Sequence, residues 1–294
     1  MNPISDFDGL MIGRECALDR GAIPALAHRI ALARSDTAVA EGRDPSGNHG
    51  LRRVGTTAIV PLTGLITNDP LLAWLAGGTM PDSFVRALRE AATDPDIREI
   101  LVLVNSPGGE VSLMTETAGE MRRLRALKPI TSMARTHMLS AAYWLGAQAT
   151  TVVATPSATV GSIGVFTVHV DQSRLNDRLG VQPTYITSHP RKVESNPDTP
   201  LADDARAFIQ ARVNEVHTAF VKDIATGRGL SVSTVQSTFG DGRAFGAAEA
   251  LKRRMVDRIA TLEELLTPGG SRGSSALRAG AADDSEAIIA ALFG

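Results

Sequence analysis

From residue 57 onward, short unbroken apolar runs alternate with segments whose apolar residues fall at helical spacing. "TAIVPL" and "EILVLV" are continuous runs bounded by polar residues, the pattern of strands buried on both faces. Between them, "PDSFVRALREAAT" has helical spacing and opens with Pro and Asp, which predicts a helix. "NSPGGE" reads as a tight Gly-rich turn, and "VSLMTETAGEMRRLRAL" as a helix ending at "KP". "ITSMA", "LSAAYWLGAQA" and "TVVA" repeat strand, helix, strand. "VDQSRLNDRLG" reads as a helix stopped by Gly180, and "PTYITS" as a further strand. "LADDARAFIQARVNEVHTAFVKDIATGRG" is a long amphipathic helix with an acidic start and a Gly-rich end. This succession predicts an α/β domain with a largely parallel sheet over residues 51–266.

The flanks carry a different pattern. Residues 18–34, "LDRGAIPALAHRIALAR", have helical spacing, with Pro24 either early in the helix or kinking it. The polar stretch "EGRDPSGNHG" (41–50) then sets off residues 1–50 as a helical appendage and loop. Residues 267–294 begin "PGGSRGSSALRAGAADDSE", a flexible linker by composition, and finish in a small apolar tail, "AIIAALFG". That tail reads as disordered, or as docking onto another subunit or a partner.

Composition narrows the function classes. Of 294 residues, 43% are hydrophobic and the formal net charge is -2, so nothing electrostatic favours nucleic acid or an anionic membrane as partner. The single cysteine, Cys16, cannot form an internal disulfide and suits a reducing compartment. The start, "MNPISDFDGLMIGRE", meets acids before any long apolar core, unlike a secretory signal. No run approaches the ~18 apolar residues of a membrane helix. A cytoplasmic, soluble chain is the expectation.

Two strand-to-helix junctions carry candidate chemistry. In "LVNSPGGEV" the glycines Gly108 and Gly109 let another chain approach backbone N–H groups closely, as an oxyanion hole requires, although a plain turn explains the same residues. Ser140, in "THMLSAAYWLG", stands at the second junction with the N–H of Ala141 beside it. Alone it reads as a small residue packed in a buried helix. Junctions of this kind in one parallel sheet open toward a common edge. A serine nucleophile needs a base. His137 is three residues away with no acid to orient it, and His169 ends "GSIGVFTVHV", where a core or surface role fits as well. Lys192, in a loop within "YITSHPRKVESNPDTPL", is another candidate, although a loop lysine taken alone reads as a solvated charge. A lysine acting as base must have its ordinary pKa of ~10.4 lowered to roughly 7–8.

Taken together, "NSPGGEV", the Ser140 helix, "ATPSATVGSIGV", "KVESNP", "GRGLS" and "DGRAFGAAEALKRRMVD" resemble the signal peptide peptidase A family of serine–lysine proteases, from about Thr57 to Leu266. The "SAAYW" helix, the "KVESNP" loop and the upstream "LAGGTMPDSFVRALREAATDPDIREILVLVNSPGGEV" are similar to its phage capsid-maturation (prohead protease) branch. The resemblance implies a Clp/crotonase-like fold of repeated strand-strand-helix units. It also implies Ser140 as nucleophile, Lys192 as general base and Ser162 as the hydroxyl orienting the lysine. Gly108, Gly109 and Ala141 would form the oxyanion hole. No metal or organic cofactor is called for. The implied substrate is a polypeptide such as a capsid, portal or scaffold protein, cut in the cytoplasm or inside an assembling procapsid by a ring-like homo-oligomer. Two departures from the family stand out: alanines follow Ser140 where two glycines are common, and Ser195 stands where a glycine often follows the lysine.

Other readings remain at this level: a cytoplasmic signal-peptide-type peptidase, and a degenerate protease domain serving as a capsid-assembly scaffold. A Clp-type Ser-His-Asp protease would need a histidine nearer the Pro156 turn than His169. A crotonase-like acyl-CoA enzyme would use the Gly-Gly turn without calling for Ser140 or Lys192.

Overall fold

The computed structural model describes residues 14–35 and 50–266. The polar stretch 41–49 and the tail 267–294 lie outside the described residues. Among the described residues, nine strands form one sheet: β1 (Cys16–Leu18), β2 (Arg52–Val54), β3 (Thr57–Ile66), β4 (Glu99–Glu110), β5 (Ile130–Leu139), β6 (Thr151–Ala154), β7 (Thr159–Gly161), β8 (Ala244–Gly246) and β9 (Arg258–Ile259). The main path runs β2-β3-β4-β5-β6-β9, and β3, β4, β5, β6 and β9 pair in parallel. β2 is an antiparallel edge strand on β3, and β8 pairs antiparallel with β7. This is the mixed α/β arrangement with a largely parallel sheet that the alternating pattern predicts.

The helices are α1 (Ile23–Ser35), α2 (Pro70–Ala76), α3 (Pro81–Thr93), α4 (Met114–Arg125), α5 (Ala141–Gly146), α6 (Ser173–Leu179), α7 (Asp203–Arg228), α8 (Val232–Thr238), α9 (Ala247–Lys252) and α10 (Leu262–Leu266). α3 matches its predicted span. Pro81 opens it, where a missing N–H costs nothing, and Phe84, Ala87, Leu88 and Ala91 bury one face. In α1, Pro24 is the second residue and is therefore tolerated. α6 and α7 stop at Gly180 and Gly229, both left-handed.

One face of the sheet packs against α3, α4, α5 and α7 in the main core. The other face buries Ile59, Leu101, Leu103, Met133 and Val153 under Leu262 and Leu265 of α10. A separate cluster joins Cys16, Leu18, Ile23, Leu26, Ala27 and Ile30 to Leu65, Leu72, Leu75 and Ala76. β1 belongs to the sheet, pairing antiparallel with the end of β4.

Two predicted elements differ. "NSPGGE" is not a turn: it is the last half of β4, extended between β3 and β1. A Cβ on Gly109 would lie 1.8 Å from the Ile66 carbonyl oxygen, so the glycine permits close strand packing instead of a reversal. "PTYITS" forms no strand. Its residues are exposed, Ile186 by 98%, and no neighbouring strand offers them a ladder.

Candidate active site

β5 delivers Ser140 to the first turn of α5, and the backbone there is strained. Ser140 has φ 54 and ψ −119, outside the regions open to ordinary L-residues. A residue in this conformation reverses the chain sharply from strand into helix and presents its side chain at the turn, as in strand–nucleophile–helix elbows. Two backbone bonds hold it: the Ser140 N–H donates to Gly161 O at 2.7 Å, and Trp144 N–H donates to Ser140 O at 2.9 Å. The hydroxyl faces Gly164 O at 3.5 Å.

α5 is buried throughout, which explains its small and aromatic composition. Trp144 stacks on Phe220 with centroids 4.3 Å apart, and its indole N–H donates to Asp223 at 2.9 Å. Asp223 also pairs with Arg122 at 3.0 Å. Tyr143 donates its hydroxyl proton to Met255 O at 2.8 Å, and burial pushes that phenol's pKa upward. The two alanines keep the helix close to β4.

Gly108 explains the next contact. It has φ 98, and a Cβ placed on it would lie 2.9 Å from both Ala141 N and Ser140 Cβ, and 2.3 Å from Ala17 O. As the first helical residue, Ala141 has an N–H with no intrahelical acceptor. The space beside Ser140 is therefore bounded by a helix-start donor and a glycine backbone, the elements an oxyanion hole needs. The Gly108 N–H itself donates to Ser106 Oγ at 3.1 Å, while Ser106 donates to Gly64 O at 2.6 Å. Ser106 thus ties Gly108 to β3. Its place in "NSPGGE" was visible in the sequence, but its role depends on β4 continuing as a strand.

Ser162 also reaches this place. β7 pairs with β5 in the register Leu139↔Gly161, so Ser140 and Ser162 follow matched residues of adjacent parallel strands. Ser162 has φ 57, is buried, and donates its N–H to Arg243 O at 2.8 Å. Gly109 lies one residue beyond Gly108, between Ile66 and Ala17. Lys192 joins none of these groups by a hydrogen bond. It is exposed in a 3-10 turn, Pro190–Val193, and among the described residues its ammonium has no hydrogen-bond or ion-pair partner.

Neither histidine considered as a base contacts the Ser140 hydroxyl. His137 is exposed on β5. His169 lines a cavity of about 530 Å³ with Glu15, Phe166, Ser195 and Phe208. Among the described residues, no group of three or more His, Cys, Asp or Glu is placed to hold a metal ion, and no helix is long and apolar enough to cross a membrane.

The profile of peptidase family S49 matches residues 122–268, a span that includes Ser140, Ser162 and Lys192. The chain is 29% identical over 211 residues to the capsid assembly protease C of Escherichia phage lambda, covering 71% of this chain and 48% of that protein. It is 28% identical over 250 residues to the head-tail preconnector protein GP5 of Enterobacteria phage P21, covering 85% of this chain and 49% of that protein. A putative signal peptide peptidase SppA of Enterococcus faecium is 29% identical over 185 residues, covering 63% of this chain and 54% of that protein. The chain spans about half the length of these relatives.

Proposed function

Because the chain belongs to peptidase family S49, we propose that it is a serine endopeptidase that cuts capsid or scaffold polypeptides during phage head maturation. The sheet has the Clp/crotonase-like architecture of that family. The observation that carries the reading is Ser140, strained at a strand–helix junction and set against Gly108 and the free-ended amide of Ala141.

In this reaction a neutral Lys192 amine takes the Ser140 hydroxyl proton while Oγ bonds to the substrate carbonyl carbon. The oxygen that becomes negative is received by Ala141 N–H and the Gly108–Gly109 backbone. With its N–H shared with Ser106, Gly108 is the weaker donor until that bond loosens. The lysine ammonium returns its proton to the leaving amine as the C–N bond breaks, and water then hydrolyses the ester. Ser162, aligned with Ser140 by the β5–β7 register, orients the lysine.

The exposed, unpartnered Lys192 supports a site shared between copies, with Ser140 from one protomer and Lys192 from its neighbour in a ring-like homo-oligomer. Ser140→Ala and Lys192→Ala should each abolish cleavage of co-expressed capsid protein, read by mass spectrometry. Mixing the two inactive proteins before assembly should restore about a quarter of the sites, the share in which a random ring joins two intact partners. Cleavage by Lys192→Ala alone would sink the dyad, and a mixture that stays inactive would sink the sharing.

A further inference from the structure

A peptidase acting on polypeptides must admit an extended chain to its nucleophile, yet Ser140 is only 1% exposed. What covers it follows from the strand registers. β5 lies between β4 and β7, paired at Ser106↔Met138 and Leu139↔Gly161. It stops at Leu139, where Ser140 turns the chain inward, and the next place in the sheet is left open. On one side of that gap β4 continues through Gly108 to Glu110; on the other runs the segment after β7, through Gly164 and Phe166. β1 fills the gap.

Its three residues pair antiparallel with β4 as Cys16↔Glu110, Ala17↔Gly109 and Leu18↔Gly108. On the opposite edge, Cys16 N–H donates to Phe166 O at 2.9 Å and Phe166 N–H donates to Cys16 O at 3.0 Å. Glu15 O accepts from Val111 N–H at 3.2 Å, and Asp19 N–H donates to Pro107 O at 2.8 Å. Ala17 O reaches the glycine that abuts Ser140 and Ala141 N. An extended backbone, hydrogen-bonded on both edges beside the nucleophile, is the way a strand-adding peptide is bound.

We propose that β1 is a resident of the peptide slot at Ser140, supplied in cis, and that it must leave before a polypeptide can be held there and cut. The idea rests on Ser140 being the nucleophile. The strand is built to be displaced without breaking the main core. Apart from Ala17, its side chains pack with α1 and α2 in the separate cluster. Its leading end is pinned by ion pairs at the edge of the fold: the half-buried Arg14 to the buried Glu110 and to Asp69, and Glu15 to the exposed Arg212 at 3.0 Å. The occupant also sets the ligand class: an extended peptide of at least three residues running antiparallel to Gly108–Glu110.

Cys16 provides the readout, as it is the chain's one cysteine and sits inside the strand. Burial, reinforced by Glu110, pushes its thiol up to about 12, so alkylation is suppressed while β1 is seated and recovers when it leaves. The full chain and its Arg14→Ala/Glu15→Ala variant are treated with biotinyl-Ala-Ala-Leu diphenyl phosphonate, then with iodoacetamide, and both modifications are followed by intact mass. The variant should react at Ser140 about tenfold faster, the change that about 1.4 kcal/mol in the seated state produces. Phosphonylated molecules should be alkylated at Cys16, and unreacted ones should not. Equal rates in the two proteins, or phosphonylated Ser140 with Cys16 still protected, would overturn the in-cis occupant alone. A folded protein unmodified at Ser140 in both forms would overturn the nucleophile assignment, and the occupant with it.

Discussion

Gly108→Ala tests whether the "PGG" segment is a close-packed wall of the site or merely a flexible turn. The perturbation is one methyl group, placed 2.3 Å from Ala17 O, 2.9 Å from Ala141 N and 2.9 Å from Ser140 Cβ. None of these is the end of a flexible side chain, so strand or helix backbone must shift. The residue would also keep φ near 98, a conformation costing a non-glycine residue on the order of 1–3 kcal/mol. Overpacking adds typically about 1–3 kcal/mol. We expect a loss of about 4 kcal/mol in urea unfolding. At about 2–4 °C per kcal/mol for a chain of this size, Tm should fall by roughly 8–16 °C. Gly55→Ala is the internal control: φ is positive there too, at 57, but a Cβ meets nothing within 4 Å. It carries the backbone strain without the collision and should lose only about 1 kcal/mol. Ser140 labelling by a fluorophosphonate, measured on the folded fraction, should be lost in Gly108→Ala and kept in Gly55→Ala. Equal stability losses at the two glycines, with normal labelling in both, would refute the packing argument.

Two further predictions concern the support of the site. Asp223→Ala should cost about 3 kcal/mol, because it strands the buried Trp144 indole N–H and removes the carboxylate partner of Arg122, leaving that guanidinium its bond to Gln148 alone; a loss near zero in urea would mean that the Trp144–Phe220 stack holds the helix by itself. Asp257 accepts from Val152 N–H at 2.7 Å and pairs with Arg228 at 2.6 Å. Burial alone would raise its carboxyl pKa, but Arg228 and the Val152 amide outweigh it and hold the group below its ordinary value. Its contribution is therefore complete above the unfolded carboxylate pKa of ~3.9 and lost as pH falls through the lower folded value. The stability gap between wild type and Asp257→Asn should narrow on acidification over that window, and a gap constant into strong acid would contradict the assignment.

Much of this protein is legible along the chain because burial leaves a local trace. The apolar spacing of "PDSFVRALREAAT" is enough to place α3, and the run "EILVLV" is enough to place the centre of β4. Gly180 and Gly229 end their helices where the sequence puts them. The junction that holds Ser140, and the order of Ser140, Ser162 and Lys192 behind the resemblance to a protease family, are likewise readable without coordinates.

Other features depend on partners distant in sequence. "NSPGGE" has turn composition, yet it is extended because β3 and β1 supply ladders on its two edges. "PTYITS" has strand composition and stays irregular because no edge meets it. "CAL" carries no period at all and becomes a strand only in the gap that β5 leaves at Ser140. Periodicity and capping are properties of consecutive residues, so the sequence alone determines which segments are helices and which apolar runs are buried. Strand pairing joins backbone groups tens of residues apart, whatever their side chains. Only the tertiary structure therefore decides that Gly108 meets Ser140, that Ser162 and Ser140 follow matched residues of adjacent strands, and that β1 pairs with β4 beside Gly108.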